Sequence, residues 1–233
     1  MSFKLLNPGI HLVDTFGPFS DKVRIFLLRN GSECAIVEMP PLENNDFEPW
    51  KKIHSYIKEQ KLTLKFMTAS HGHWDHFKTY PEFNKQFPDV PIIVSSLLFK
   101  DKVTNFISPK DLEEGNLEDP SIIQNRTILY CFKEKVFETN LGGEPLILFQ
   151  APKHSWGDTP IIFKGAMITG DWWLGPGDPN NHKIPLKEIN QSLDLLIQFC
   201  KDKLYNIHVV MAAHDNELRR NVDFVELMEK TRP

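Results

Sequence analysis

Short apolar runs separated by turn formers fill the first forty residues. Residues 10–13, 23–28 and 34–37 predict strands, and Asn30-Gly31 is the dipeptide of a tight hairpin. After Pro40-Pro41 the period changes. Between 47 and 60, Trp50, Ile53 and Ile57 recur at helical spacing. A strand over 64–69 then runs into Ser70-His71-Gly72-His73-Trp74-Asp75-His76. A helix over 80–87 and a short strand over 92–94 follow. Five acidic residues between 111 and 119 predict a solvated loop or helix start. Strands are predicted over 127–132 and 145–149, and over 161–163 and 166–169 with Lys164-Gly165 as their turn. Residues 186–199 are amphipathic, with Ile189, Leu193, Leu196 and Ile197 near one face. A strand over 206–211 and a final helix over 217–228 complete the pattern. In each half strands come first and helices after, which suggests sheets with helices outside them.

Composition narrows the class. The 233 residues predict one domain over 1–233, and 41% hydrophobic with 25% charged residues is globular rather than disordered. The net charge of −4 argues against a nucleic-acid partner. Cys34, Cys131 and Cys200 are odd in number and widely spaced, so a disulfide framework is not expected. With no apolar leader-like run at the start, the expected location is cytoplasmic. No apolar run reaches 18 residues, so no membrane span is expected. The expected partner is a small-molecule substrate. The sequence leaves the oligomeric state open.

The chemistry concentrates in His71-Gly72-His73-Trp74-Asp75-His76, the pattern HxHxDH. Three imidazoles and one carboxylate lie within six residues. In an extended strand-end loop, alternate side chains at this spacing face one pocket. Imidazole with carboxylate suits zinc, iron or manganese. So many titratable groups gathered without a metal would be costly to bury. The isolated His11, His54 and His208 are read as surface or core residues.

This motif resembles that of the metallo-β-lactamase superfamily, and three later residues continue the likeness in order. His154 in Ala151-Pro152-Lys153-His154-Ser155-Trp156-Gly157-Asp158 is similar to the family's third-histidine turn. Asp171 in Thr169-Gly170-Asp171 is similar to its bridging aspartate. His214 in Ala212-Ala213-His214-Asp215 is similar to its last histidine. The resemblance covers about residues 10 to 216. It implies an α/β (α+β) fold, a four-layer αββα sandwich with metals at one edge. It also implies two divalent ions per chain, zinc first and iron or manganese as alternatives. His71, His73 and His154 would hold one ion. Asp75, His76 and His214 would hold the other, and Asp171 would bridge them. His73 stands where flavodiiron relatives carry Glu, and true β-lactamases lack the aspartate at the position of Asp171. Glyoxalase II-like members carry a longer helical region for a glutathione thioester after the last histidine. Here 19 residues follow His214, so that thioester is not the expected substrate.

Two divalent cations roughly 3.5–4 Å apart can share a water, lower its pKa and polarise a carbonyl oxygen. The expected activity is hydrolysis of a small ester, thioester or lactone by a metal-bound hydroxide. The alternatives are an iron-dependent oxidoreductase, persulfide- or oxygen-linked, on the same fold, and a non-catalytic metal-binding domain. Asp75 is the candidate catalytic residue besides its ligand role, orienting the water or moving a proton. Trp74, Trp156, Trp172 and Trp173 all lie beside ligands and are candidate walls of a substrate pocket. His182 belongs with them, in a loop rich in turn formers after Trp173. Lys153 is expected to face solvent.

Overall fold

The computed structural model describes residues 3–16, 23–41, 48–98, 129–175, 184–214 and 218–233. Two mixed sheets lie face to face. The first has the order β1 (Lys4–Asn7), β2 (Ile10–Phe16), β3 (Val23–Asn30), β4 (Glu33–Val37), β5 (Thr63–Thr68), β6 (Ile92–Ser95) and β7 (Leu129–Phe132). The second contains β8 (Val136–Leu141), β9 (Glu144–Phe149), β10 (Ile161–Phe163), β11 (Ala166–Gly170), β12 (Val209–Ala212) and β13 (Leu218–Arg220), in the order β13-β12-β11-β10-β9-β8. Helices α1 (Pro49–Glu59), α2 (Trp74–Phe77) and α3 (Tyr80–Gln86) belong to the first half. Helices α4 (Leu186–Asp202) and α5 (Phe224–Glu229) belong to the second.

Period-two alternation along the strands builds the layers. On β3, Phe26 and Leu28 point between the sheets, where they join Ala35, Val37, Leu146, Leu148, Ile161, Phe163, Ile168 and Met211. Their neighbours Ile25 and Leu27 point outward, against Trp50, Ile53, Phe77 and Phe83. On the second sheet Ile147, Phe149, Ile162, Met167 and Val210 point outward against Leu193, Leu196, Phe224 and Met228. Strands buried on both faces account for the unbroken apolar runs of β3 and β4. The result is the expected αββα sandwich.

Helix α1 starts at Pro49, which tolerates the first turn because its missing N–H has no helical acceptor there, and Trp50, Ile53, Tyr56 and Ile57 are buried. The hairpin between β10 and β11 turns on Lys164 and Gly165 with φ of 49° and 69°, the two positive values of a primed turn. The expected final helix over 217–228 is corrected. Residues 218–220 are β13, antiparallel to β12, and the chain turns at Asn221 with φ 54° before α5 begins. Asp223 caps α5 by accepting from the Glu226 N–H. Strands β1 and β8 had no clear signal. Strand β8 is an edge strand of polar and half-buried residues, and its pairing with β9 supplies what its own pattern lacks. The acidic segment 111–119 lies outside the described residues.

The sheets place four strand ends together. Strands β4 and β5 are parallel, as are β11 and β12, so residues 38, 69–71, 171 and 213–214 emerge at one edge. The halves are joined there: Arg24 N–H donates to the Ala213 carbonyl (2.8 Å), Val23 bridges His214, and Thr159 N–H donates to the Ser70 carbonyl (2.6 Å). Among the described residues no helix is long and apolar enough to cross a membrane.

Candidate metal centre

The HxHxDH segment changes conformation midway. Residues 69–73 leave β5 without helical structure, so His71 and His73 are two apart along one side. His73 then caps α2, whose His76 and Phe77 N–H groups both donate to the His73 carbonyl (3.0 and 3.2 Å). Asp75 and His76 therefore reach the centre from a helical turn and not by strand alternation, which corrects the expectation of one extended loop. Three other segments complete the set. His154 stands in the turn after β9, Asp171 directly follows β11, and His214 follows the end of β12.

These residues form two adjoining groups, His71 with His73 and His154, and Asp75 with His76, Asp171 and His214. Within each group one donor atom per residue lies within 4.8 Å of the others. Asp171 spans both. Its Oδ1 is 3.3 Å from His76 Nε2 and 3.2 Å from His214 Nε2. Its Oδ2 is 3.3 Å from His214 Nε2, 3.6 Å from His154 Nε2 and 3.9 Å from His71 Nε2. His154 Nε2 and His73 Nδ1 are 3.1 Å apart, and Asp75 Oδ2 is 3.5 Å from His76 Nε2 and 3.7 Å from His214 Nε2. Donor atoms about 2.1 Å from a tetrahedral ion stand about 3.4 Å from one another, so this spacing suits shared cations.

The buried polar atoms make the same point. His71 Nε2, His76 Nε2 and Asp171 Oδ1 are inaccessible and have no hydrogen-bond partner among the described residues, yet all aim into the centre. Such atoms are costly unless a ligand satisfies them. The residues present therefore fit divalent metal ions. The floor, His71, His76 and Asp171, is buried, while His73, His154, Asp75 and His214 are partly exposed and mark the open side.

The charged groups of the centre shift one another's titration. Burial alone would raise Asp171, but the His76, His214 and His71 imidazoles hold its carboxyl well below the usual range. Burial would also lower His76, but the Asp171 and Glu38 carboxylates hold it well above its ordinary value. His214 is raised by Asp171 against the same burial. His71 is pushed well down by burial and by His76. Burial and the repulsion of Asp171 would raise Asp75, but the neighbouring His76 and His214 imidazoles lower it. A bound cation would replace the protons on His76 and His214.

Outer partners fix the imidazoles, and the sequence did not reveal them. His71 Nδ1 is 3.1 Å from Ser70 Oγ. His76 Nδ1 faces Oε1 of Glu38 at 3.5 Å, an ion-pair contact longer than a hydrogen bond between two fully buried side chains. The other Glu38 oxygen accepts from the Ser70 N–H (3.2 Å). Glu38 sits at φ 75°, a conformation rare outside glycine, and its N–H donates to the Thr68 carbonyl (3.0 Å). Carboxylates that hold the far nitrogen of a ligating histidine orient the ring and raise its basicity. The His154 turn is pinned by Asp158. Its Oδ2 accepts from the N–H groups of Lys153 (3.0 Å), His154 (2.6 Å) and Ser155 (3.0 Å), and its Oδ1 accepts from Ser155 Oγ (2.7 Å). Burial pushes this carboxyl up to about 7 despite the four donors.

The tryptophans divide. Trp172 and Trp173 are core side chains under the second sheet, so they are not pocket walls. Trp74 and Trp156 are exposed. Lys153, expected at the surface, is fully buried, with Nζ 5.6 Å from the Trp172 ring centroid. Its stem and charge are packed beneath the site, which corrects that expectation. Residue 182 lies outside the described residues. His11, His54 and His208 are outside both groups.

No family model matches this chain. Among curated proteins it is similar to hydroxyacylglutathione hydrolase of Vibrio cholerae serotype O1, 21% identical over 199 residues, covering 84% of this chain. The chain spans 66% of the length of the curated relatives it matches. Among solved structures it is similar to the DIM-1 metallo-β-lactamase, with a TM-score of 0.67 and 12% identity over 99% of this chain and 94% of that one. A metallo-β-lactamase family protein from Thermus thermophilus gives 0.65 and 18% over 98% and 79%. A metallo-β-lactamase from Pontibacter korlensis gives 0.65 and 14% over 99% and 96%. The chain thus has the metallo-β-lactamase fold that its HxHxDH motif implied.

Proposed function

We propose that this protein is a metal-dependent hydrolase that holds two divalent ions, zinc foremost, and cleaves an ester, thioester or lactone bond in a small organic substrate. The observation that carries the reading is Asp171, whose carboxylate lies between the two histidine groups: Oδ1 is 3.2–3.3 Å from His214 and His76, and Oδ2 is 3.3 Å from His214, 3.6 Å from His154 and 3.9 Å from His71. Likeness of fold to metallo-β-lactamases and of sequence to a hydroxyacylglutathione hydrolase supports the same reaction class.

His71, His73 and His154 would hold one ion, Asp75, His76 and His214 the other, and Asp171 both. When bound, the ions would supply an acidified water as nucleophile and a Lewis acid for the carbonyl oxygen. Asp75 is the half-exposed carboxylate of the set. Its position at the open side lets it orient the attacking water and pass a proton to the leaving group. Glu38 and Ser70 keep the His76 and His71 rings aimed inward, so little reorganisation accompanies reaction.

The test is elemental analysis of protein purified without added metal or a metal-binding tag, followed by chelation, reconstitution and turnover of ester, thioester and lactone panels. About two zinc or manganese ions per chain are expected, with activity lost on chelation and regained with metal. Asp171→Ala should lose the second ion and several orders of magnitude in kcat/KM. Chelator-resistant turnover, or normal activity in that variant, would refute the proposal. Iron as the main metal with oxygen consumption would replace it by an oxidoreductase.

A further inference from the structure

We infer that the substrate carries an uncharged apolar group beside its scissile bond, packed against the exposed indoles of Trp74 and Trp156; this rests on the hydrolase reading above. The chain has five tryptophans. Trp50, Trp172 and Trp173 are packed in the cores at 8%, 1% and 1% exposure, whereas Trp74 and Trp156 are 49% and 40% exposed. The two exposed indoles are those on the ligand-bearing segments of the open side. Trp74 directly follows His73, Trp156 follows His154 by two residues, and the His73 and His154 rings meet at 3.1 Å. An exposed indole offers a large, rigid apolar face at small entropic cost, which is why tryptophan anchors ligands.

Both indoles stand on fixed backbone. Trp74 opens α2, tied to His73 by two backbone bonds. The Trp156 turn is pinned by Asp158 on one side. On the other it is pressed against Leu98 at Gly157, where a Cβ would meet Leu98 Cα at 2.7 Å. A preorganised pair loses little freedom when a ligand enters. Among the described residues, two cations beside the ligand-bearing segments are committed inward. Lys153 is buried over Trp172, and buried Arg24 donates to the Ala212 carbonyl (2.8 Å). An anionic group beside the scissile bond would have neither available. Lys78, exposed at the end of α2, provides the control.

Metal-loaded protein should hydrolyse p-nitrophenyl octanoate at least about tenfold better than the acetate in kcat/KM, since each buried methylene adds to transition-state binding. Trp74→Ala and Trp156→Ala should each lower that octanoate-to-acetate ratio by about tenfold, while Lys78→Ala leaves the ratio as it was. A second readout needs no turnover. Calorimetric titration of the protein as purified should show octanamide binding at least tenfold tighter than acetamide, with the preference lost in the double tryptophan variant. A wild-type ratio near one, or a ratio preserved in the double variant, overturns the inference. If neither ester is turned over, the hydrolase reading stands or falls on its own thioester and lactone panels, and the titration alone decides this inference. Octanamide preference lost in the double variant then sustains the apolar site, and equal binding of the two amides overturns it.

Discussion

Replacing Glu38 by Gln removes one charge from a position where no water can compensate. Glu38 and His76 are both fully buried, with Oε1 3.5 Å from Nδ1, while Oε2 accepts from the Ser70 N–H. The amide keeps the volume and can still accept from Ser70. It loses the anion that makes His76 a stronger ligand. Loss of such a partner costs about 10–100-fold in metal affinity, or about 1.4–2.8 kcal/mol. A competing effect has the opposite sign. Glu38 also helps hold a proton on His76, so its loss eases the proton's displacement. The metal carries twice the proton's charge and loses more attraction, so the net change is weaker binding. The assay is stepwise competition for zinc against a chromophoric chelator at pH 7, with circular dichroism to verify the fold. The weaker step should shift by about 10–100-fold while the other moves little. Unchanged isotherms in a folded variant would refute the assignment of Glu38 to His76.

Other sites give independent checks. Gly170 has φ 61°, and a Cβ there would lie 2.0 Å from Ser70 Oγ, so Gly170→Ala should cost roughly 2–4 kcal/mol in urea unfolding; a loss below about 0.5 would refute the close approach. The Asp158 carboxyl is raised to about 7 in the fold from an ordinary value of 3.8, so the folded state binds the extra proton between those values. Stability from this group is present below about pH 4 and is lost as pH rises to about 7. Metal-free Asp158→Asn should therefore show a flatter stability profile across that window than the wild type, and parallel profiles would show that burial does not govern this carboxyl. Burial pushes the Cys34 and Cys200 thiols up to about 12, so a disulfide reagent at pH 8 should leave both untouched in native protein. Only half-buried Cys131 should react, and slowly, with three thiols appearing in denaturant.

Local information sufficed where neighbours in sequence are neighbours in space. HxHxDH carries four donors within six residues, and its resemblance to a known family drew in His154, Asp171 and His214. The short unbroken apolar runs of β3 and β4 and the helical spacing of α1 and α4 distinguish strands from helices, so the sandwich was legible. The final segment misled because Leu218, Val222 and Val225 fit a helical period, while the break is backbone at Asn221 and the β13 partner is β12.

The sequence could not decide which side chains face the site from a loop, where no period governs direction. Trp172 and Trp173 turn into the core behind Asp171, Trp74 and Trp156 turn out, and Lys153 turns in. Nor could it show Glu38, separated by 38 positions from His76. That pair exists because β4 and β5 lie parallel, with Val37 opposite Thr68, so the chain leaves both strands at one edge. The donor types were written in the sequence. Their convergence on Asp171, and the buried carboxylate behind His76, arise only when the two sheets pack and water is excluded from between them.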